Sequence, residues 1–435
     1  VSPSERIPDV SQVSTGGTIL YVKRNSHGEI GLARMAVPLI LIATLTTGCA
    51  KKSEPPFERF APEYQAYTPQ AGSGNAYDGY LLAATKAAES TSKYADQASF
   101  RDHEKAEYLQ LSNEAVNQAI RASQSASRID FRPSDPFLPR PSHQGLTTIG
   151  RALAWRIERA LAAGNSGEAA NLAASAFKIG TDLTGGDVQD ALLGHWIVAQ
   201  SRDALAPSLA KMNAGTLETL GNRTLEIIGN RPSTVDTLTN EEASMLAGVQ
   251  FVQDAYQRKD YELMRTAMYK EVRAAMEYLQ NLSPDERPDY FRGFAGEAKA
   301  RVDHAKKQLL VPRPERKEFK LDERTERPWK RFATQLFETL DPFVRSDEVY
   351  VTRTRLFGLT CLALAAGKST GEAPADLLEK AADNALDPFT GRPFIYRRAG
   401  REFRLYSVGE DMRDDGGESD ETGRTPDLLL APIVR

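Results

Sequence analysis

Cys49 is the residue whose chemistry its neighbours prescribe most narrowly. It closes the stretch Met35 to Cys49, MAVPLILIATLTTGC, and Ala50-Lys51-Lys52 follow it. The apolar run from Ala36 to Thr47 is short for a membrane-spanning helix, which takes about 20 residues. It has the length of an export-signal core, about 7–15 residues. Thr46, Thr47 and Gly48 are small enough for a peptidase to reach the bond before Cys49, whose thiol then takes a lipid. On this reading residues 1–48 are removed and the chain from Cys49 onward works outside the cytoplasm on an acyl anchor. The competing reading makes Met35–Thr47 a buried helix and Cys49 a core thiol. Pro38 inside the run and the proline-rich stretch after it oppose that. A start at Met35 puts no positive charge ahead of the apolar core, whereas a start at Val22 supplies Lys23, Arg24 and Arg34.

Other residues with chemical potential fit bland roles. Gly367-Lys368-Ser369-Thr370 is similar to the end of a phosphate-binding loop, but Leu362 stands where that loop needs glycine or alanine, and a helical stretch precedes it. The sequence places Gly367 as a helix C-cap with Lys368 against the dipole. The five histidines, His27, His103, His143, His195 and His304, show no metal-ligand spacing, and His195 reads as a core histidine in a helix. No Gly-x-Ser-x-Gly elbow occurs, so no nucleophile is marked.

Composition sets the frame that positions these residues. A hydrophobic fraction of 41% suits a soluble globular body, and a net charge of −4 gives no field that would attract nucleic acid. With Cys49 acylated, Cys361 is the one cysteine left, so no disulfide framework is expected.

Residues 49–79 are rich in Pro, Gly, Ser and Lys and read as a flexible tether. From 80 to 310 helical periodicity dominates. Leu153, Ile157, Ala160 and Leu161 mark one helix, and Gly164-Asn165-Ser166-Gly167 breaks it. Glu168 opens a second, which buries Leu172, Ala173, Ala176 and Phe177 and ends near Gly180. Asp187 is the N-cap of a third, with Val188, Leu192, Trp196 and Ala199 on one face. Further helices are expected at about 215–229, 240–257, 259–280 and 292–309. The fold class is therefore mainly α: either a helical-hairpin array, TPR-like in appearance, or an irregular helical bundle. A charged linker is expected at 311–330, further helices at 331–385, and a β-hairpin module at 386–435. In that module Phe394–Tyr396 and Phe403–Val408 flank Ala399-Gly400-Arg401, and Leu428 to Leu430 could add a strand.

Two resemblances follow from these motifs. The run ending at Cys49 resembles the bacterial lipoprotein signal with its lipobox, departing from it in having Thr46 where the family prefers leucine. The resemblance implies acylation of Cys49 and a place in the cell envelope; Ala50 and Lys51, with no aspartate after the cysteine, point by analogy to the outer membrane. The C-terminal residues Asp387-Pro388, Gly391, Pro393, Tyr396, Leu405 to Gly409, Asp411, Asp414, Gly416-Gly417 and Asp427 are similar to the end of the major pseudopilin of type II secretion. The same DPFTG, LYSVG and DDGG run also closes uncharacterised exported helical proteins. The pseudopilin resemblance implies calcium in the acidic loop, with Asp411, Asp414, Asp415 and Asp420 as ligands around Gly416 and Gly417. The loop is no EF-hand, since Arg413 takes the third position counted from Asp411. A lipobox and a large helical region stand where a pseudopilin has its long apolar filament helix, which opposes a filament subunit.

The expectation is a lipid-anchored envelope protein that binds a protein partner as an interaction or scaffold module. The alternatives are an accessory of a secretion or pilus-like machine, and an envelope hydrolase with an unmarked site.

Overall fold

The computed structural model describes residues 56–62, 67–95, 97–133, 140–259, 277–320, 340–400, 402–417 and 427–430. Cys49 and the stretch expected to be an export signal lie outside these residues, as does Asp420. From Pro55 onward the chain forms one compact unit. The body is mainly helical, with a small antiparallel sheet near the C-terminus. No helix among the described residues is long and apolar enough to cross a membrane.

The first six long helices are α1 (Ala76–Ser90), α2 (Asp102–Ala122), α3 (Pro141–Ala162), α4 (Ser166–Leu183), α5 (Val188–Leu205) and α6 (Ala214–Gly229). Short polar side chains start most of them by accepting an orphan N–H. Asn75 accepts from Tyr77, Asn165 from Glu168, Asp187 from Asp190 and Asn213 from Thr216. Each helix packs on the next in sequence along most of the run. In addition α1 packs on α3 and α3 on α5, while α4 packs on α6. That neighbour and next-neighbour pattern is the signature of stacked helical hairpins in two layers. Alanines and glycines allow the close spacing. At the α4–α5 crossing a Cβ on Gly194 would sit 2.1 Å from the Gly180 carbonyl oxygen, so neither position tolerates a side chain.

Beyond α6 the array gives way to irregular packing. α7 (Thr234–Arg258) pairs with α8 (Arg287–Leu309) around a separate core that includes Val249, Val252, Phe291 and Phe294. The long α9 (Asp341–Thr370) returns from far along the chain to lie against α6, its closest partner, and α5. Gly221 and Gly358 let those two backbones meet. A short α10 (Leu377–Ala381) leads to β1 (Ile395–Ala399), β2 (Glu402–Ser407) and β3 (Leu428–Leu429), in the order β1-β2-β3. Tyr396 faces Leu405 and Ala399 faces Glu402 across the hairpin. Leu405 and Phe394 share an apolar cluster with Leu356, Leu359 and Ala363 of α9, so the hairpin is seated on the helical body.

Several sequence expectations are corrected. The proposed tether is docked in part: Ala61 is buried, and Phe57 and Phe60 pack against the α7–α8 core. Residues 311–320 do not form a free linker, because Arg313 and Arg316 both pair with Glu348 of α9. α4 runs on past Gly180 to Leu183, since that glycine serves the crossing with α5 rather than a stop. On α5 the expected face of Val188, Leu192, Trp196 and Ala199 is only half-buried. The buried face holds Ala191, His195, Ile197, Val198 and Arg202, because apolar clusters receive the three aliphatic residues and Asp347 of α9 receives His195, while Arg202 pairs with Asp203 beside it. α9 continues through Gly367, and Gly371, with φ of 86°, is the C-cap. Lys368 donates to the Ala210 carbonyl at 2.8 Å. Most of the helix expected at 259–280 lies outside the described residues, and Lys259 closes α7 in a left-handed conformation.

Candidate binding cleft

α4 and α6 belong to the same layer of the array and pack on each other, and two hollows lie along the seam between them. A hollow of about 250 Å³ lies between their first halves, lined by Gly167, Ala170, Asn171, Gly215, Thr216 and Thr219. A larger cleft of about 650 Å³ lies between their second halves, bounded by Lys178, Asp182, Glu226 and Asn230 and closed by Ser123 and Ser127 at the end of α2 and Asn240 of α7. Because first halves meet first halves, the two helices run in the same direction. The volume is that of a ligand cleft. Arg223 lines both hollows. It makes no hydrogen bond or ion pair among the described residues, which leaves a half-buried guanidinium facing the seam.

The cleft wall carries one built polar group. Asp182 accepts from Lys178 at 2.5 and 2.6 Å and from the Tyr80 hydroxyl at 2.8 Å. Burial pushes the Asp182 carboxyl above the usual carboxylate value and outweighs both partners. Burial, and then the Asp182 charge, push the Tyr80 phenol well up. Next to it Thr181 shares a 2.7 Å hydrogen bond with Tyr350 of α9, which fixes the cleft wall to the far side of the body.

Two further charged clusters lie deeper. At the start of α5, Asp187 caps the helix, accepts from Arg140 and takes the Ser244 hydroxyl at 2.9 Å. Asp190 meets His143 at 2.6 Å. Burial works to raise the Asp190 carboxyl, but the His143 hydrogen bond and the Arg140 charge hold it below the ordinary range. Glu241 of α7 accepts from the Val188 N–H at 3.1 Å, and burial together with the Asp187 charge push its carboxyl up to about 8. The second cluster centres on Asp347 of α9, which bonds His195 at 3.2 Å, Arg231 at 3.1 Å and Thr234 at 2.7 Å. Burial opposes ionisation of Asp347, yet Arg231 and His195 outweigh it and hold the carboxyl well below its usual value. The His195 ring stacks on Tyr350 at 4.2 Å, in keeping with the core role expected of it. Neither cluster contributes a residue to the two hollows described above.

The acidic loop expected to hold calcium follows β2. Asp411 accepts from the Arg413 N–H at 3.0 Å. Asp414 takes the Tyr406 hydroxyl at 2.7 Å, Arg397 at 2.7 Å and the Gly416 N–H at 3.0 Å. The Tyr406 hydrogen bond leads in holding the Asp414 carboxyl below the usual range. Asp427, which sequence reasoning left out of the ligand set, is buried and accepts from Gly417 at 2.7 Å. Burial raises its carboxyl, and Asp415, Asp414 and Asp411 add to that, so the fold gathers these acids around it. Among the described residues no group of three or more His, Cys, Asp or Glu has the geometry to hold a metal ion. Cys361 is a buried free thiol pushed well up by burial, as a packing residue would be.

Sequence reasoning missed Arg223, Lys178 and Asp182. The available signal was faint: small or polar residues recur at three- and four-residue spacing on both helices, at Gly167, Ala170, Asn171 and Ala174 and at Gly215, Thr216 and Thr219. No protein-family model, no curated protein and no solved structure matches this chain.

Proposed function

We propose that this chain is a lipid-anchored protein of the bacterial cell envelope that acts as an interaction module and docks a protein partner in the α4–α6 seam. The observation that carries the docking role is the pair of hollows along the seam, with the unpaired Arg223 guanidinium lining both. Stacked helical hairpins commonly present extended surfaces of this kind to partners. The anchor rests on Cys49 and the apolar run before it. A photo-crosslinking residue at Thr219 or Asn230, introduced in cells, should trap a discrete envelope protein. Trapping none at either position would remove the docking role. Mass spectrometry of the natural N-terminus tests the anchor separately, since it should find a lipid on Cys49 and nothing upstream.

The C-terminal module supports a second reading, an accessory of a secretion or pilus-like machine. Calcium in its acidic loop belongs to the same resemblance, and Asp427 adds a carboxylate to the expected set. Removal of residues 386–435 would strip the apolar face of α9 that holds Phe394 and Leu405. Asp414→Ala is therefore the cleaner test, with export as the readout. Millimolar calcium should raise the melting temperature of the parent chain, and no shift would remove the ion from this reading.

A further inference from the structure

Residues 57–61 lie on α7 and α8, where composition alone suggested a free spacer. The Phe57 ring meets Tyr256 and Phe291 edge-on, with centroids 6.2 and 5.7 Å apart. Phe60 packs against the same apolar cluster, and Ala61 is buried. Between the two rings the backbone is gripped by two glutamines about one turn apart on α7. The Phe60 N–H donates to Gln250 Oε1 at 2.8 Å, and Gln253 Nε2 donates to the Glu58 carbonyl at 2.9 Å.

These glutamines are 4% and 1% exposed. A buried amide left without a partner costs about 1–3 kcal/mol. Gln250 keeps a bond from its Nε2 to Asp254 at 2.8 Å whether or not the segment is docked, whereas the docked segment supplies partners for the Gln250 Oε1 and for the Gln253 Nε2. Glu58 and Arg59 are exposed, so the contact reads backbone and aromatic rings and ignores the charged pair between them.

We propose that residues 57–61 form a strap that clips the chain to α7 and leaves seven residues between an acyl group at Cys49 and the folded body. The membrane half of this inference rests on the anchoring read from Cys49. The eight Cα-to-Cα steps from Cys49 to Phe57 reach at most about 28 Å when fully extended. With the strap open, the next tie among the described residues is Tyr67, whose hydroxyl donates to Asp78 at 2.5 Å. Eighteen such steps then separate it from Cys49, for a reach of about 63 Å. The strap thus decides whether the body is held close to a bilayer or can sample twice that height.

Limited trypsin digestion of the full chain, following the bond after Arg59, reads the strap directly. The native chain should be cut there at least 10-fold more slowly than the free peptide PPFERFAP. The double variant Phe57→Ala/Phe60→Ala should lose that protection. Should the double variant fail to fold, millimolar PPFEQFAP, which trypsin does not cut, added to the native chain should speed the Arg59 cut by competing for α7, since the Arg59 side chain is exposed and not read by the contact. Cutting of the native chain as fast as the free peptide overturns the strap, whatever is attached to Cys49. Protection at Arg59 together with a Cys49 free of lipid overturns the membrane role and, with it, the anchoring reading, while leaving the docked segment intact. On liposomes carrying the acylated chain, energy transfer from a dye on the body to a lipid dye should fall in the double variant; equal transfer in both overturns the control of reach.

Discussion

At the turn from α4 to α5 two carboxylates five residues apart, Asp182 and Asp187, meet different surroundings. Asp187 points inward, where helix cap, Arg140 and Ser244 use both its oxygens. Asp182 forms part of a cleft wall, bonded to Tyr80 behind it and to Lys178, whose side chain is 26% exposed, beside it. The inward group holds α3, α5 and α7 together. The outward one keeps a partner that an incoming ligand can reach, and shares its cleft with the unpaired Arg223. Burial alone therefore does not separate structural charges from available ones. What separates them is where the counter-charge sits: Lys178 lines the cleft, whereas Arg140 does not.

That comparison can be tested from the strongest effect downward. Asp347→Ala removes the partner of three charged or polar groups in the α9 cluster, His195, Arg231 and Thr234. Breaking a buried pair on one side costs about 3–5 kcal/mol, and a shift of the urea midpoint should show a loss of that order. In the parent chain the Asp347 contribution is complete above the ordinary carboxylate value and disappears as pH falls through its lower folded value. The acid limb of a stability–pH curve should flatten in the variant.

Glu241 carries the opposite sign. Its carboxyl, pushed up to about 8, binds a proton in the folded chain that it has released in the unfolded one. Stability attached to it is full below pH about 4.5 and is lost as pH rises toward 8. Glu241→Gln should abolish that slope and, at pH 8.5, be about 1 kcal/mol more stable than the parent after allowance for solvent screening. Equal slopes in the two proteins would show that Glu241 is not sealed against Asp187.

The smallest effect on folding is expected at the cleft. Arg223→Glu leaves no bonded partner behind and should change stability by less than about 0.5 kcal/mol. It should nevertheless abolish the crosslink formed from Thr219. A large loss of stability would move Arg223 into the structural class and take the cleft with it.

The two kinds of charge were unequally legible. Asp187 was readable as an N-cap because its job is local, and so were Glu168 in its first turn and the β-hairpin around Gly400. The cleft was not. Arg223 and Lys178 look like any solvated cation on a helix, and only the parallel seam of α4 and α6 sets them side by side. The burial of His195 was expected, but its partner Asp347 stands 152 residues away, beyond the reach of any spacing rule. The same limit hid the strap, since Phe-Glu-Arg-Phe reads as spacer until Gln250 and Gln253 are brought to its backbone.

Local chemistry in the chain was enough to determine that helices dominate, where several of them are capped, and where the terminal hairpin turns; it left a hairpin array and an irregular bundle both open and put the starts of α7 and α8 at about 240 and 292, against Thr234 and Arg287. Those features depend on a few neighbouring dihedrals and on hydrogen bonds within a turn or two. Tertiary structure alone decided which face of α5 goes inside, which carboxylates lose their water, and which stretch of the apparent spacer is held down. Each of those outcomes depends on a partner contributed by a distant helix, and the energy of a charge or an amide is set by that partner rather than by its neighbours in sequence.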